Sequence, residues 1–597
     1  MTFYQEYWLS NHLKSKVNLL WRVFAGLLIS ILLNTNSFAA IITWDGGGGD
    51  NNWSNCANWD NADTCPGVGD VATFNATSTK AATIDIDPNV DGIDIQAGYT
   101  GTISQSVNTT ITIGATGYSQ QNGIFAGNNF SINVNGPFTM LNGVFTATSS
   151  QLFIAGNFTI SGGMFNHNNG QVNFDSGSTR TVDISLYSLY DVVINTLGDD
   201  LNISGSMYVL NDLSISSVNN LNGAILLEGD LVSLDTTVNG NAWILLMGTN
   251  PQNIDVVSGG LPDGTLTINK ASNAATLIDH MALTTAGQDL TVSQGTLDLN
   301  GFNLTLTAAS DALTVSNGAT LQLQGDETVT ASTIDLQSGS MVIYDGGANY
   351  TGLGLPLGDT YSNVTFNNAA GIWELDAPLV VSDDLTLTTG TLDTNSVSDH
   401  AITVTGDLSH NGGRLIANSS TITVSGDFVA DFATNDADYN NSSVVLDGTG
   451  NLTINNHPTD FWVDGFDNLT VAASGQTTTF TNSVAIRNVL TVGAGEFTTA
   501  AEGRVYLTGS GNVLSVDPNS TITIPAVFIP VQERKITGSF FGSCLPSEDM
   551  PYLLNLYKEK KLLLDELVTQ YYKLEEINQA FSDMEKGENI RGMVLFE

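Results

Sequence analysis

Three consecutive blocks of 20 residues align without a gap from Gln121 to Arg180: QNGIFAGNNFSINVNGPFTM, LNGVFTATSSQLFIAGNFTI and SGGMFNHNNGQVNFDSGSTR. A glycine recurs at Gly123, Gly143 and Gly163, and two residues after each stands Phe125, Phe145 or Phe165. The pairs Ile132/Val134, Leu152/Ile154 and Val172/Phe174 alternate with polar residues, which puts each pair on one face of a short strand. So short a strand cannot bury that face alone. Copies at a fixed period must stack and share one long core, and this predicts an all-β chain built as a parallel β-helix with rungs of ~20 residues.

Further along the period loosens while the pattern persists. Openings of the form Leu/Ile-Thr-apolar stand at Leu290, Leu313, Leu385, Ile402, Ile422, Leu452, Leu469 and Leu490, and two of the gaps between them are long. Loops that differ from rung to rung explain such variation, whereas propeller blades would repeat at about 40 residues. Gly-Asp, Asn-Gly, Asp-Gly and Ser-Gly stand between the strands, as tight corners require. At ~4.8 Å per rung, the repetitive region would make roughly 24 rungs and a rod of the order of 115 Å. A string of β-sandwiches is the alternative, and it would need longer strands and antiparallel hairpins. Hydrophobic residues make up 42% of the chain, enough for a core despite a net charge of −43.

Charge placement divides the 597 residues. Of 17 basic residues, eight lie after position 530, three lie in the first 40, and six remain between: Lys80, Arg180, Lys270, Arg414, Arg487 and Arg504. The expected organisation is an export signal over 1–40, a Trp/Gly-rich cap with the first rungs over 41–120, solenoid repeats over 121–530, and a different unit over 531–597. With 60 acidic residues against 17 basic ones, nucleic acid is excluded as a partner.

Lys14, Lys16 and Arg22 precede the apolar run Val23–Leu33, which is too short to span a bilayer, and small residues follow at Ser37 and Ala39. This pattern predicts a secretory signal cleaved after Ala39 or Ala40, with no membrane span left afterwards. An uncleaved anchor would place Arg22 in the membrane. Export predicts a disulfide between Cys56 and Cys65, nine positions apart; a two-Cys metal site lacks a nearby His.

Trp44-Asp45-Gly46, Trp53-Ser54, Asn58-Trp59 and Pro66-Gly67-Val68-Gly69-Asp70 precede the repeats. Here the sequence resembles the opening of secreted bacterial repeat proteins of the autotransporter or adhesin-like β-helix kind. That resemblance implies an exported structural or surface-interaction role. The three Trp either form a platform for a sugar ring or close the exposed end of the solenoid, and capping is the expectation.

Many β-helices cleave polysaccharides, so a carbohydrate-active enzyme is the competing reading. Lyases need a basic residue and usually an Asp-bound calcium; the six solenoid cations lie in no acid-rich signature. Hydrolases need carboxylates at a set separation. Asp199-Asp200 and Asp383-Asp384 are the obvious pairs, but an alternating strand follows each, so they read as polar corners. His167, His280, His400, His410 and His457 show no ligand spacing and read as surface. Gly67 to Ala72 matches G-x-G-x-x-A and reads as a turn, because no strand-turn-helix surrounds it. The N-x-S/T sequons at Asn75, Asn108 and Asn202 matter only in a host that glycosylates them. No catalytic or metal-binding residue is assigned. Between 41 and 530, 47 acidic residues face six basic ones. Carboxylates stacked at equivalent rung positions would repel unless a divalent cation lay between them, which makes calcium a candidate ligand beside the simpler reading of a solvated surface. No other cofactor is expected. The partner expected is an extracellular polysaccharide or a cell-surface ligand.

From Val531 the period becomes helical: Leu574, Ile577, Phe581 and Met584 share one face, Gly587 follows as a stop, and Ile590–Phe596 reads as a strand. ERKITGSFFGSC (533–544), the helix around MPYLLNLYKEKKLLLDELVTQYYKLEEINQAF (550–581) and GENIRGMVLF (587–596) resemble the C-terminal end of the medium-chain zinc-dependent alcohol dehydrogenases. The resemblance implies an α/β fragment in which Arg591 holds the position that touches the cofactor pyrophosphate. It also implies what is missing. That family needs Cys and His around a catalytic zinc and a G-x-G-x-x-G turn for the dinucleotide. This chain has three Cys in all, of which Cys544 alone lies in the matching segment, so NAD- and zinc-dependent alcohol oxidation is not expected.

Overall fold

A computed structural model describes residues 40–522 and 546–596, apart from short stretches at 61–63, 176, 185, 355–360, 432–436, 456–464, 473–476, 494–495, 500–504, 508–512 and 517–520. The export signal, His457, and the 533–544 motif with Cys544 lie outside the described residues. The chain divides into two units, Met1–Ile522 and Thr523–Glu597.

The first unit is a β-solenoid of about 21 turns. A turn runs along three walls, as in Ile132–Val134, Phe138–Met140 and Val144–Thr146, and the following turn repeats them at Gln151–Ile154, Phe158–Ile160 and Met164–Asn166. Pairing between turns is parallel and keeps the sequence register. Phe145 stands opposite Phe125 and Phe165, and Leu152 opposite Ile132 and Val172. Alternation does the sorting: inward residues of each strand are buried, and the residues between them, Asn133, Phe153 and Asn173, face out. Among the described residues, the one antiparallel pairing is the bridge between Trp44 and Trp59, so no sandwich forms.

The Gly that opens each 20-residue block has a specific reason. Gly143 adopts φ +92°, and a Cβ there would sit 2.6 Å from the carbonyl oxygen of Gly123 in the turn before. Only glycine supplies both the conformation and the close approach. Buried glutamines knit other corners together. Gln120, fully buried, donates through Nε2 to the carbonyls of Asn122, Gly123 and Val144 at 3.1–3.2 Å, and its Oε1 accepts the Tyr118 hydroxyl at 2.8 Å.

The Leu/Ile-Thr-apolar openings do not all belong to one column. Leu385 and Leu452 lie on one wall, whereas Ile402, Ile422, Leu469 and Leu490 lie on another. The steps from Leu385 to Ile402 and from Leu452 to Leu469 therefore cross a corner within a turn. True neighbours are Leu385, Leu408, Phe428 and Leu452 on the first wall, and Leu379, Ile402, Ile422, Val444, Leu469 and Leu490 on the second. The long gap after Leu313 contains strands as well, at Thr333–Leu336, Met341–Tyr344 and Asn363–Glu374. They open with Thr, Met and Asn, so the motif misses them.

The second unit carries helices at Pro546–Lys558 and Ile577–Glu585 and a two-stranded parallel sheet, Gln570–Lys573 with Gly592–Leu595. Residues 550–581 are thus two helices separated by a strand. Lys560, at φ +56°, turns the chain out of the first helix, and the β-branched and aromatic run from Val568 to Tyr572 favours extension. Tyr572 is buried, donating its hydroxyl to Asp583 at 2.9 Å and accepting from Asn589 at 2.9 Å. The face expected from the sequence is not covered: Leu574, Phe581 and Met584 are each at least half exposed. No helix among the described residues is long and apolar enough to cross a membrane.

Candidate functional site

The Trp-rich segment is a plug. Trp44, Trp53 and Trp59 are 0–1% exposed and pack edge-on, with ring centroids 5.1 Å apart for Trp44–Trp59 and 4.7 Å for Trp53–Trp59. Phe74 and then Tyr99 continue the stack into the solenoid. No ring face is left for a sugar. Lys80 holds the overlying glycine loop, donating from Nζ to the carbonyls of Gly46, Gly48 and Asp50 at 2.7–3.0 Å. Cys56 and Cys65 form a disulfide with their Cα atoms 4.6 Å apart. Replacing both by Ser is expected to cost the cap about 2–3 kcal/mol, since the loop closed is short. Trp emission followed through urea should then show an early transition that the parent protein lacks.

The carboxylate pairs sit at corners. Asp200 accepts the side-chain amides of Asn219 and Asn220 at 2.8 Å each, and Asp384 accepts the backbone N–H of Asp407 at 2.8 Å. That last bond begins a ladder. Asp407 accepts the N–H of Asp427 at 2.7 Å, and Asp427 accepts that of Asn451 at 2.7 Å. A second ladder runs from Asp191 through Asp212 and Asp230 to Asn253. In each case a residue before or at the start of a wall strand uses its carboxylate to satisfy an N–H at the matching place one turn on, which gives the acid surplus a structural use. Stacking still has a cost. Burial pushes Asp212 above the ordinary carboxylate range, and the charges of Asp230 and Asp191 add to the shift. Among the described residues no three His, Cys, Asp or Glu side chains gather into a metal-holding group.

Asp298, Glu327 and Asp345, on successive turns, feel one another's charge. Glu327 is buried but satisfied, accepting the N–H groups of Gln324, Gly325 and Gly301 at 2.6, 2.7 and 3.0 Å. Asp345 accepts from Gln322 at 2.8 Å, while burial and the charges of Asp345 and Glu327 push Asp298 up to about 6. A raised carboxyl pKa means that the folded state holds its proton more tightly than the unfolded one. The penalty is therefore full above pH 6 and is relieved as pH falls through 6 toward 3.8. Discounted for partial solvent access, Asp298→Asn is expected to add about 1 kcal/mol at pH 7.5 and nothing near pH 4. Melting curves at the two pH values test this, and equal shifts at both would contradict it.

One histidine departs from the surface reading, and two of the solenoid cations are buried. His410 is buried, because its register partner one turn back is the inward Leu387. His280 is exposed, and His167 and His400 are half-buried. Lys270 is fully buried, with Nζ donating to the carbonyl of Asn250 and to Oε1 of Gln252 at 2.6 Å each, and burial lowers its pKa. Arg180 is buried too, donating to the carbonyls of Ser178 and Ile154. Nothing in local sequence marks these two, because what they hold is the backbone of adjacent loops. Gly67–Asp70 is a turn, closed by Gly67 N–H to the Asp70 carboxylate at 2.9 Å.

In the second unit, Arg591 is exposed, and its carbonyl accepts the N–H of Thr569 at 3.1 Å. A cleft of about 480 Å³ in this unit is lined by residues 571–576, Leu595 and Phe596, and Arg591 is not part of its lining. Comparison with known proteins gives matches to part of the chain only. Alcohol dehydrogenase B of Mycobacterium tuberculosis is 38% identical over 98 residues, which is 16% of this chain and 25% of that protein. The NDMA-dependent alcohol dehydrogenase of Amycolatopsis methanolica is 37% identical over 93 residues, 16% of this chain and 24% of its own length. Alcohol dehydrogenase 1 of Petunia hybrida is 40% identical over 67 residues, 11% of this chain and 18% of its own. The chain spans about a quarter or less of the length of these curated relatives. No family model and no solved structure matches.

Proposed function

We propose that this chain is an exported bacterial protein whose acidic solenoid serves a structural or surface-interaction role of the adhesin kind, and whose dehydrogenase-like segment performs no oxidoreduction. The observation that carries the reading is the use to which the solenoid puts its ionisable side chains. The carboxylate ladders and the buried Lys270 and Arg180 satisfy backbone groups of neighbouring turns, which builds a rod rather than a reaction centre. The charged, short apolar and small-residue order of the first 40 residues supports export, as does the Cys56–Cys65 disulfide.

Similarity to alcohol dehydrogenases supports a common origin for the C-terminal segment. The sequence supports the absence of that chemistry: of its three Cys, Cys56 and Cys65 are bonded to each other, which leaves Cys544 alone for a zinc that needs several such ligands. Fractionation of the source cells, with N-terminal sequencing of the product, tests the proposal. The expected result is surface or medium protein beginning at residue 40 or 41. Protein held in the cytoplasm with its first 39 residues intact would overturn it.

A further inference from the structure

Trp243 is set apart from every other Trp among the described residues. Trp44, Trp53, Trp59 and Trp373 are 0–1% exposed, whereas Trp243 is 38% exposed on the outer face of the strand Trp243–Gly248. Its indole N–H donates to Oγ1 of Thr267 in the next turn at 3.0 Å. Thr267 is the register partner of Leu245, the outward residue two positions after Trp243. The bond therefore draws the indole along the wall, past Leu245. Leu245 is only 9% exposed although it lies outside the internal core, as expected if the indole covers it. At 38% exposure the indole still offers part of its ring to solvent.

The surroundings suit a polar ligand with apolar faces. The register partners leading up to Trp243 are Ala224 and, one turn earlier, Ser206, so small side chains line the column that leads to the ring. Along one edge of it Asn202, Asn222 and Asn241 form a ladder. Asn222 Nδ2 donates to Asn202 Oδ1 at 2.9 Å, and Asn222 Oδ1 accepts the Asn241 N–H at 3.0 Å. Beyond the other edge stand the outward Tyr208 and Leu226, with the Tyr208 hydroxyl bound to Glu228. Amides repeating at the ~4.8 Å rung spacing, next to an aromatic face, match a chain of pyranose rings, which presents hydroxyls at its rim and C–H groups on its faces. The acid surplus of the rod, 47 carboxyl residues against six cations, disfavours an anionic polymer.

We propose that the outer wall around Trp243, Asn222 and Asn241 binds a neutral polysaccharide chain, with the Trp243 indole as the stacking platform. This rests on the surface-interaction reading and gives it a ligand class. The test is electrophoresis of the full chain through native gels containing hydroxyethylcellulose, galactomannan or dextran, with alginate as the anionic control. Retardation by at least one neutral polymer is expected, weakened at least tenfold in Trp243→Ala and about threefold in Thr267→Val, which frees the indole but keeps it. An unchanged melting temperature in both variants shows that the wall is intact. Passage of the parent protein without retardation in all three neutral gels, or equal retardation of Trp243→Ala, would overturn the proposal. So would stronger retardation by alginate. The fractionation experiment is independent: a surface protein that ignores all three polymers refutes this site and leaves the localisation standing.

Discussion

Replacing Phe145 by alanine is expected to remove about 3–5 kcal/mol of stability from the turns between Ile124 and Asn166 and to leave the turns beyond Leu379 as they were. Phe145 is 1% exposed and lies in a column of parallel rings, 4.9 Å from Phe125 and 5.7 Å from Phe165. Tyr118 and Phe138 meet it edge-on at 5.3 and 4.9 Å. The cavity would be enclosed by four aromatic rings whose strands are fixed by pairing on both sides, so it cannot collapse at little cost. Because a turn touches only its neighbours, the damage should stay local. Hydrogen exchange read by mass spectrometry would show faster exchange over residues 118–174 and unchanged exchange over 379–446. Uniform acceleration along the rod would mean that the solenoid unfolds as one cooperative unit.

That column is also where the sequence was most legible. A strict 20-residue period, with Gly and Phe at fixed offsets, translates directly into register, because parallel stacking puts residue i above residue i + 20. Where turns lengthen to 22–25 residues the same alternation recurs on two walls, so a strand motif alone cannot say which column it joins. Corner carboxylates were legible as corners, but their ladder was not, since it depends on which N–H lies one turn on. His410, Lys270 and Arg180 were illegible for a related reason. Burial of His410 is set by the register that places it over Leu387, and burial of the two cations by loop carbonyls that stacking brings near from residues up to 26 positions away in the chain. Trp243 reads as one more aromatic until its strand is placed on a wall.

The largest effect expected concerns the last residues: 523–597 expressed alone should fail to form a protease-resistant unit, and the full chain should neither bind NAD nor oxidise alcohols. Burial decides the first part. Among the described hydrophobic side chains of this unit Tyr572 alone is buried, while Leu553, Leu554, Leu574, Phe581, Met584, Leu595 and Phe596 are between 42% and 79% exposed. Ordering a residue costs ~1–2 kcal/mol, and the two strands and two short helices described over 546–596 bury too little apolar surface to offset that for their own length. The alignments explain the shortfall. The matched segment equals about a quarter of a dehydrogenase's length, so most of such a protein has no counterpart in the match. Composition motivates the second part: with Cys56 and Cys65 bonded to each other, Cys544 is the one Cys left, where the zinc of such enzymes needs several Cys and His ligands. Limited proteolysis should reduce the isolated segment to peptides at protease levels that spare the solenoid. Equilibrium dialysis with NAD should show no binding below the millimolar range, and a micromolar affinity or a resistant isolated segment would establish a working domain in its place.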